Sequence, residues 1–344
     1  MTNMTASKII ITSPSLSSPW VGTWLSLIAF MVFALVVVGG ATRLTGSGLS
    51  ITEWQPLLGV IPPLNTPDWQ SAFEKYQASS QFKLQNSAMT IGQFHFIYWW
   101  EWSHRLLARS IGAVAVLPFI YFSVRRMLPK GQWPLYVFML ALGGLQGLLG
   151  WYMVKSGLDG RAAVSQYWLA AHLICASTIF ALALWLRFSI TTKHQWFGGG
   201  AEWLGLLLLV LVFVQLSAGA FVAGLGAGQG YNTWPLIDGS LVPKGLNAIE
   251  PWWKNLFENA LTVQFDHRML AYLIFALTFI NLLVAFGLSS FLLFYFVLMQ
   301  AALGIFTLLL HVPLPLALAH QAGAMLVLLA SVWNLHRRTL VEEL

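Results

Sequence analysis

The chain has 344 residues, of which 58% are hydrophobic and only 9% charged, with a mean hydropathy of +0.71 and a net charge of +6. A soluble domain carries about 25% charged residues, so this composition excludes a water-soluble globule and points to an integral membrane protein. The positive balance sits in short segments between apolar stretches, and no basic patch is interleaved with aromatics, which excludes a nucleic-acid partner.

The chain opens with a polar tail, Met1 to Pro19. Eight stretches follow that are apolar enough to cross a bilayer, each needing about 20 residues. They are expected near 20–42, 97–122, 133–154, 166–187, 202–223, 262–286, 290–310 and 314–335. The first has no small-residue cleavage site behind it, which argues against a cleaved signal peptide. Long segments, 43–96 and 224–261, follow spans 1 and 5. Arg125, Arg126 and Lys130 follow span 2, Arg187 and Lys193 follow span 4, and Arg337 and Arg338 end span 8. Positive charge marks the cytoplasmic side. Both termini are therefore expected in the cytoplasm, as a tail over 1–19 and another over 336–344, and the long loops outside.

Spans 2, 4, 6 and 8 each carry a histidine roughly seven residues in: His104, His172, His267 and His320. An ionisable residue inside a span is costly and marks function by default. Four at one depth, about 10 Å from the outer face at 1.5 Å per residue, in two pairs, read as axial ligands for two haems. With no CxxCH in the sequence, covalent haem attachment is excluded, and the lone Cys175 cannot form an internal disulfide. His95, His194 and His336 read as interfacial or solvated side chains, and His311, beside Pro313, is ambiguous.

The two halves share landmarks in one order. Span 2 reads Glu101-Trp102-Ser103-His104-Arg105 and span 6 reads Gln264-Phe265-Asp266-His267-Arg268. Spans 3 and 7 carry Gln146 with Gly150 and Gln300 with Gly304, while spans 4 and 8 carry Leu-Ala before His172 and His320. This pattern predicts an all-α protein of two four-helix bundles, 20–190 and 201–335, repeated in parallel about an axis along the membrane normal. The copies differ in chemistry. Glu101, one turn from His104, is replaced by Gln264, which cannot ionise. A carboxylate at that place can move protons, unless it simply pairs with an arginine. Asp266 lies beside His267 and faces another way. Arg43, Arg105 and Arg268, near the outer ends of spans, are candidate partners for haem propionates. A single intrahelical Glu-x-x-His is too few for a di-iron site.

These residues resemble the heme A synthase family in its longer form, from Gram-negative bacteria and mitochondria. The resemblance runs through GGATRLTGSGLSITEWQP at 39–56, EWSHRLLAR at 101–109, QGLLGWYMVKSGL at 146–158, VQFDHR at 263–268 and LAHQAGA at 318–324. It implies oxidation of the C8 methyl of heme O to a formyl group, giving heme A for terminal oxidases. It implies that His104 and His172 flank the substrate haem, that His267 and His320 hold a resident haem b, and that Glu101 is catalytic. It also implies a bacterial inner-membrane location, an electron donor not evident in the chain, and contact with heme O synthase, oxidase assembly factors and membrane lipid, and it leaves room for a homo-oligomer. A shorter branch of the family has a cysteine pair in the first outer loop, and this chain has none there. The rival readings are a di-haem cytochrome b that only moves electrons, for instance with quinol, and a transporter built of parallel repeats.

Overall fold

The computed structural model describes residues 10–11, 18–55, 58–158, 160, 163–190, 192, 194–195 and 200–339. Most of the expected N-terminal tail, Lys193 and residues 340–344 lie outside that set. Eight helices are long and apolar enough to span a bilayer. Spans 1 to 4 are Pro19–Leu44, Ile91–Val124, Trp133–Leu158 and Gln166–Phe188. Spans 5 to 8 are Gly200–Leu225, Ala260–Val284, Leu288–Leu309 and Leu314–Arg338. Extended pairing among the described residues is limited to Ile10–Ile11 with His194–Gln195 and one bridge, Ile237 to Ser240. The chain is an all-α, multi-pass membrane protein.

Local chemistry sets the helix ends. Ser18 caps span 1 ahead of Pro19, where a missing N–H costs nothing. Asn259 accepts from the backbone N–H groups of Leu261 and Thr262 at the head of span 6. Thr90 and Gln93 form a reciprocal capping box on span 2.

That box starts span 2 six residues before the expected 97, so His104 is the fourteenth residue of its helix, not about the seventh. The reason is an aromatic cluster outside the bilayer. Phe94, Ile97 and Tyr98 pack on Phe73 and Tyr76 of an outer-loop helix, Thr66–Gln77. At 1.5 Å per residue the 34 residues run about 50 Å, well beyond a hydrocarbon core of about 30 Å. Span 2 therefore stands proud of the membrane and carries the loop on its extra turns.

Spans 1 and 4 are the most buried. Span 1 lies against spans 2 and 4, and span 4 against span 3, while spans 2 and 3 scarcely meet. Span 5 lies against spans 6 and 8, and span 7 against spans 6 and 8. Spans 1 and 4 meet spans 5 and 8 through the pairs 4–5, 4–8 and 1–8. Leu25, Ile28, Leu186, Leu208, Leu293, Met325 and Leu328 fill the centre. Lipid offers no hydrophobic drive between helices, so contact there rests on close van der Waals packing over small residues.

Gly224 of span 5 is such a residue. A Cβ at this position would clash with Gln166 Cβ and lie 2.8 Å from Gln166 Cα of span 4. Gly224→Ala is expected to wedge the two spans apart and lower the melting temperature of the detergent-solubilised protein. Gly143→Ala, at a position with open space around it, is expected to leave the melting temperature unchanged or raise it.

Candidate functional site

Each of the four span histidines lies against a glycine of the preceding helix. A Cβ on Gly39 would sit 3.0 Å from His104 Nε2, and one on Gly150 would sit 3.2 Å from His172 Cε1. In the second half a Cβ on Gly219 would sit 3.2 Å from His267 Cε1, and one on Gly304 would sit 2.8 Å from His320 Cε1. No larger residue fits these places without moving the ring. His104 and His172 are within electrostatic reach of each other, and so are His267 and His320. The four therefore sort into the two pairs read from the sequence.

Three of these glycines belong to a Gln-x-x-x-Gly box, which sets both residues on one helix face. Gln146 Nε2 donates to the His172 carbonyl at 3.1 Å and Gln300 Nε2 to the His320 carbonyl at 2.8 Å. Gln215 Nε2 donates to the His267 carbonyl at 3.1 Å and lies 3.1 Å from His267 Nδ1. The Oε1 atoms of all three glutamines, and Nδ1 of His172 and His320, are buried without a partner. Sequence reasoning used two of these glutamines only as repeat landmarks and missed Gln215 altogether. The box itself was the available signal.

Glu101 is buried and fully engaged. Oε2 accepts from Ser50 Oγ at 2.8 Å and from the Ile51 N–H at 2.8 Å, and Oε1 accepts from Arg105 Nε at 3.0 Å and Nη2 at 2.6 Å. Arg105 also donates to the carbonyls of Ile51 and Glu53. This pair latches the segment 50–53 onto span 2, and the pairing of Glu101 with an arginine is realised. Arg105 has little left to offer a propionate. Behind the latch, Tyr76 donates to Gln81 Oε1, and Gln81 donates to the Gly46 carbonyl. Burial, opposed by the Asn86 hydrogen bond and reinforced by the Glu101 charge, pushes the Tyr76 phenol above its usual range, so it stays a donor.

The second half has no such latch. Gln264 Oε1 and Arg268 Nε and Nη1 are buried without partners, and Arg268 reaches only the Tyr231 carbonyl, at 3.2 Å. Arg268 is 7% exposed, and a buried cation left unpaired is expensive. Arg43, half-buried in the last turn of span 1, makes no side-chain hydrogen bond among the described residues. A cavity of about 150 Å³ lies between Arg105, Trp54 and Trp151, with Lys155 on its wall. Lys155 is a cation that sequence reasoning passed over.

Other expected positions resolve simply. His95 lies against Trp69 in the loop cluster, the ring centroids 4.1 Å apart and the planes tilted by 46°. His311 is exposed in a turn. His336 is buried among Trp185, Phe188 and Thr192, not solvated as its cytoplasmic place suggested. The end of span 8 packs inward there. Asp266 is half-buried and makes no side-chain hydrogen bond or ion pair among the described residues. Among the described residues no group of three or more His, Cys, Asp or Glu side chains gathers into a metal site. Paired imidazoles over glycine, with a buried Arg268 that keeps open donors nearby in sequence, fit a bis-histidine porphyrin with anionic propionates.

Removing one partner of a buried ion pair costs about 3–5 kcal/mol. Arg105→Leu is therefore expected to free the segment 50–53, making the loop after span 1 more susceptible to limited proteolysis. Arg268→Leu, which breaks no ion pair, is expected to leave the proteolytic pattern unchanged.

Comparison with known proteins gives the family. The family model described as "COX15-CtaA: Cytochrome oxidase assembly protein" matches residues 22–332. A protein of Rhizobium etli (strain CIAT 652) named Heme A synthase is 48% identical over 322 residues, covering 90% of this chain and 88% of its own. Another of that name, from Parvibaculum lavamentivorans, is 46% identical over 319 residues, covering 91% of this chain and 93% of its own. One from Mesorhizobium japonicum is 46% identical over 314 residues, covering 89% and 86%. With both its histidine pairs inside the matched region, the chain belongs to the COX15-CtaA family of cytochrome oxidase assembly proteins.

Proposed function

We propose that this chain is a heme A synthase, an oxidoreductase that converts the C8 methyl of heme O to a formyl group and so supplies heme A to terminal oxidases. The observation that carries the proposal is the pair of histidine sites differing at one carboxylate, Glu101 against Gln264, in a chain whose relatives bear that name. Residues 20–190 form the substrate half, with His104 and His172 gripping heme O. Residues 201–335 form the haem b half, with His267 and His320 as ligands and Arg268 toward a propionate. Arg43 and Lys155 serve the substrate's propionates in place of the committed Arg105. The basic segments after spans 2 and 4 keep both termini in the cytoplasm of a bacterial inner membrane, with the sites toward the outer face.

Turning a methyl into a formyl group removes hydrogen twice and adds oxygen. Two successive hydroxylations, each consuming one dioxygen, two electrons and two protons and releasing one water, would give a geminal diol, which loses water. When bound, the iron porphyrins supply the redox chemistry, and electrons enter from a donor outside the chain. The chain's own part is to hold the ring, exclude water and manage protons. Glu101 Oε2 accepts the hydroxyl proton of Ser50 Oγ, which also reaches the Ile97 carbonyl at 3.3 Å. A proton arriving at Oε2 competes there with the Ser50 and Ile51 donors, while Arg105 keeps its hold on the Ile51 and Glu53 carbonyls.

Coexpression with a heme O source, followed by pigment extraction, tests the reading. Haem b with heme A supports it, haem b alone favours the electron-carrying cytochrome, and no pigment favours the transporter. Glu101→Gln is expected to keep both haem sites and slow heme A formation by about 10²–10⁴-fold, leaving heme O or an alcohol intermediate bound. Heme A production at the normal rate would make Glu101 a loop anchor only. His267→Ala and His320→Ala are each expected to remove most of the low-spin haem b spectrum.

A further inference from the structure

Span 1 meets both histidine sites at consecutive residues. Gly39 lies under the His104 ring, and Gly40 lies under the side chain of Gln321, the residue after His320. A Cβ on Gly40 would clash with Gln321 Oε1 and lie 2.7 Å from its Cδ and 2.9 Å from its Nε2. The amide sits there because Gln321 Nε2 donates to the Val36 carbonyl at 2.7 Å. In a helix that carbonyl also accepts from the N–H four residues on, which belongs to Gly40. Gln321 thus holds the very turn of span 1 whose neighbouring face supports His104. Span 8 is divided in the same way. His320 turns its ring to Gly304 of span 7, in its own half, and Gln321 turns to span 1, in the other.

The duplication supplies an internal comparison. In register, Gly219 and Ala220 of span 5 answer to Gly39 and Gly40, and Leu173, after His172, answers to Gln321. Spans 4 and 5 still pack closely, so joining the halves does not require an amide. An amide within a span is costly unless it finds a partner in the protein. At the crossing of spans 1 and 8 it finds one, and the resulting hydrogen bond ties the two helices. The polar tie belongs to this crossing and has no amide to form it at the other.

We propose that Gln321 is a positioning residue that couples the two sites: it ties the helix bearing His320 to the turn of span 1 on which His104 rests, so that a haem seated between His267 and His320 strengthens the first site's hold on its own. The inference rests on the haem reading given above and deepens it. A resident haem fixes span 8 through His320, Gln321 passes that position to Val36, and the Gly39 floor beneath His104 follows. The substrate site is then fully formed only in a protein whose resident haem is in place. Coupling between sites is reciprocal, so a haem at the first site steadies the second in the same proportion.

The test measures a ratio in full-length protein in detergent. Ferric protoporphyrin IX is the probe, titrated into the first site and followed by the low-spin bis-histidine absorbance that His104→Ala abolishes. Its affinity is compared between protein that retains haem b at the second site and His267→Ala, which leaves that site empty. The wild-type background is expected to bind about 5–150-fold more tightly. Gln321→Leu, introduced into both backgrounds, is expected to bring the ratio close to one. A packing role would weaken both backgrounds alike and leave the ratio unchanged. Gly40→Ala displaces the amide from the span 1 side and is expected to give the same loss, so it decides the matter even where Gln321→Leu does not accumulate. Adding Gln321→Ala to Gly40→Ala relieves the clash and is expected to restore yield but not the ratio. A wild-type ratio near one would overturn the coupling, and a wild-type ratio kept in Gln321→Leu and in Gly40→Ala would overturn the role of Gln321. Absence of any bis-histidine spectrum at either site would instead overturn the haem reading beneath.

Discussion

Everything functional in this molecule depends on helices coming close enough for an imidazole to lie on a neighbour's backbone. Gly39, Gly150, Gly219 and Gly304 make that approach possible, and any side chain there would take the ring's place. In water such gaps would flood. In a bilayer the ring nitrogens must find partners within the protein or bind something, because an unpaired polar group in hydrocarbon is costly. The unpartnered Nδ1 atoms, glutamine Oε1 atoms and Arg268 nitrogens are buried together with the ligands. They describe a protein whose polar groups are arranged for an occupant.

The sequence made the spans and the histidines legible because both signals are strong: long apolar runs, and ionisable residues interrupting them at a repeated place. Its account of depth was less secure at span 2. Hydropathy saw only the part of the helix in lipid, whereas the Thr90 capping box and the Phe94 and Tyr98 contacts extend it outward. The Glu101 environment was half legible. The spacing to Arg105 on one helix face was there to read, but the donors Ser50 and Ile51 come from a loop some fifty residues away, and no local pattern encodes that contact. His336 was misjudged for a related reason: its burial comes from Trp185 and Phe188 on another span.

The two halves share a framework of landmarks and differ at two positions beside it. The two halves keep histidine, glycine and arginine in register. One substitution, Glu for Gln, changes what the arginine does. In the first half Arg105 is spent on Glu101 and the outer loop, and in the second Arg268 is left with open donors. The same position thus makes a loop clasp in one half and leaves open donors in the other. A second difference, Leu35 for Gln215, removes an amide from one ligand and leaves it on three. Neither change alters the fold, because each swaps groups of similar size at a helix face already set by glycine.

Spans 2 and 3 barely touch, although they carry or adjoin the ligands of the first site. Little helix packing closes the first four spans between these two. On the heme O reading, a molecule with a long isoprenoid tail would meet that seam in the plane of the membrane. Such a molecule could slide in head first with its tail still among the acyl chains, and the finished product could leave by the same route toward its next protein without crossing water. Traffic would then be two-dimensional, and its pace would depend on how often neighbours in the bilayer meet.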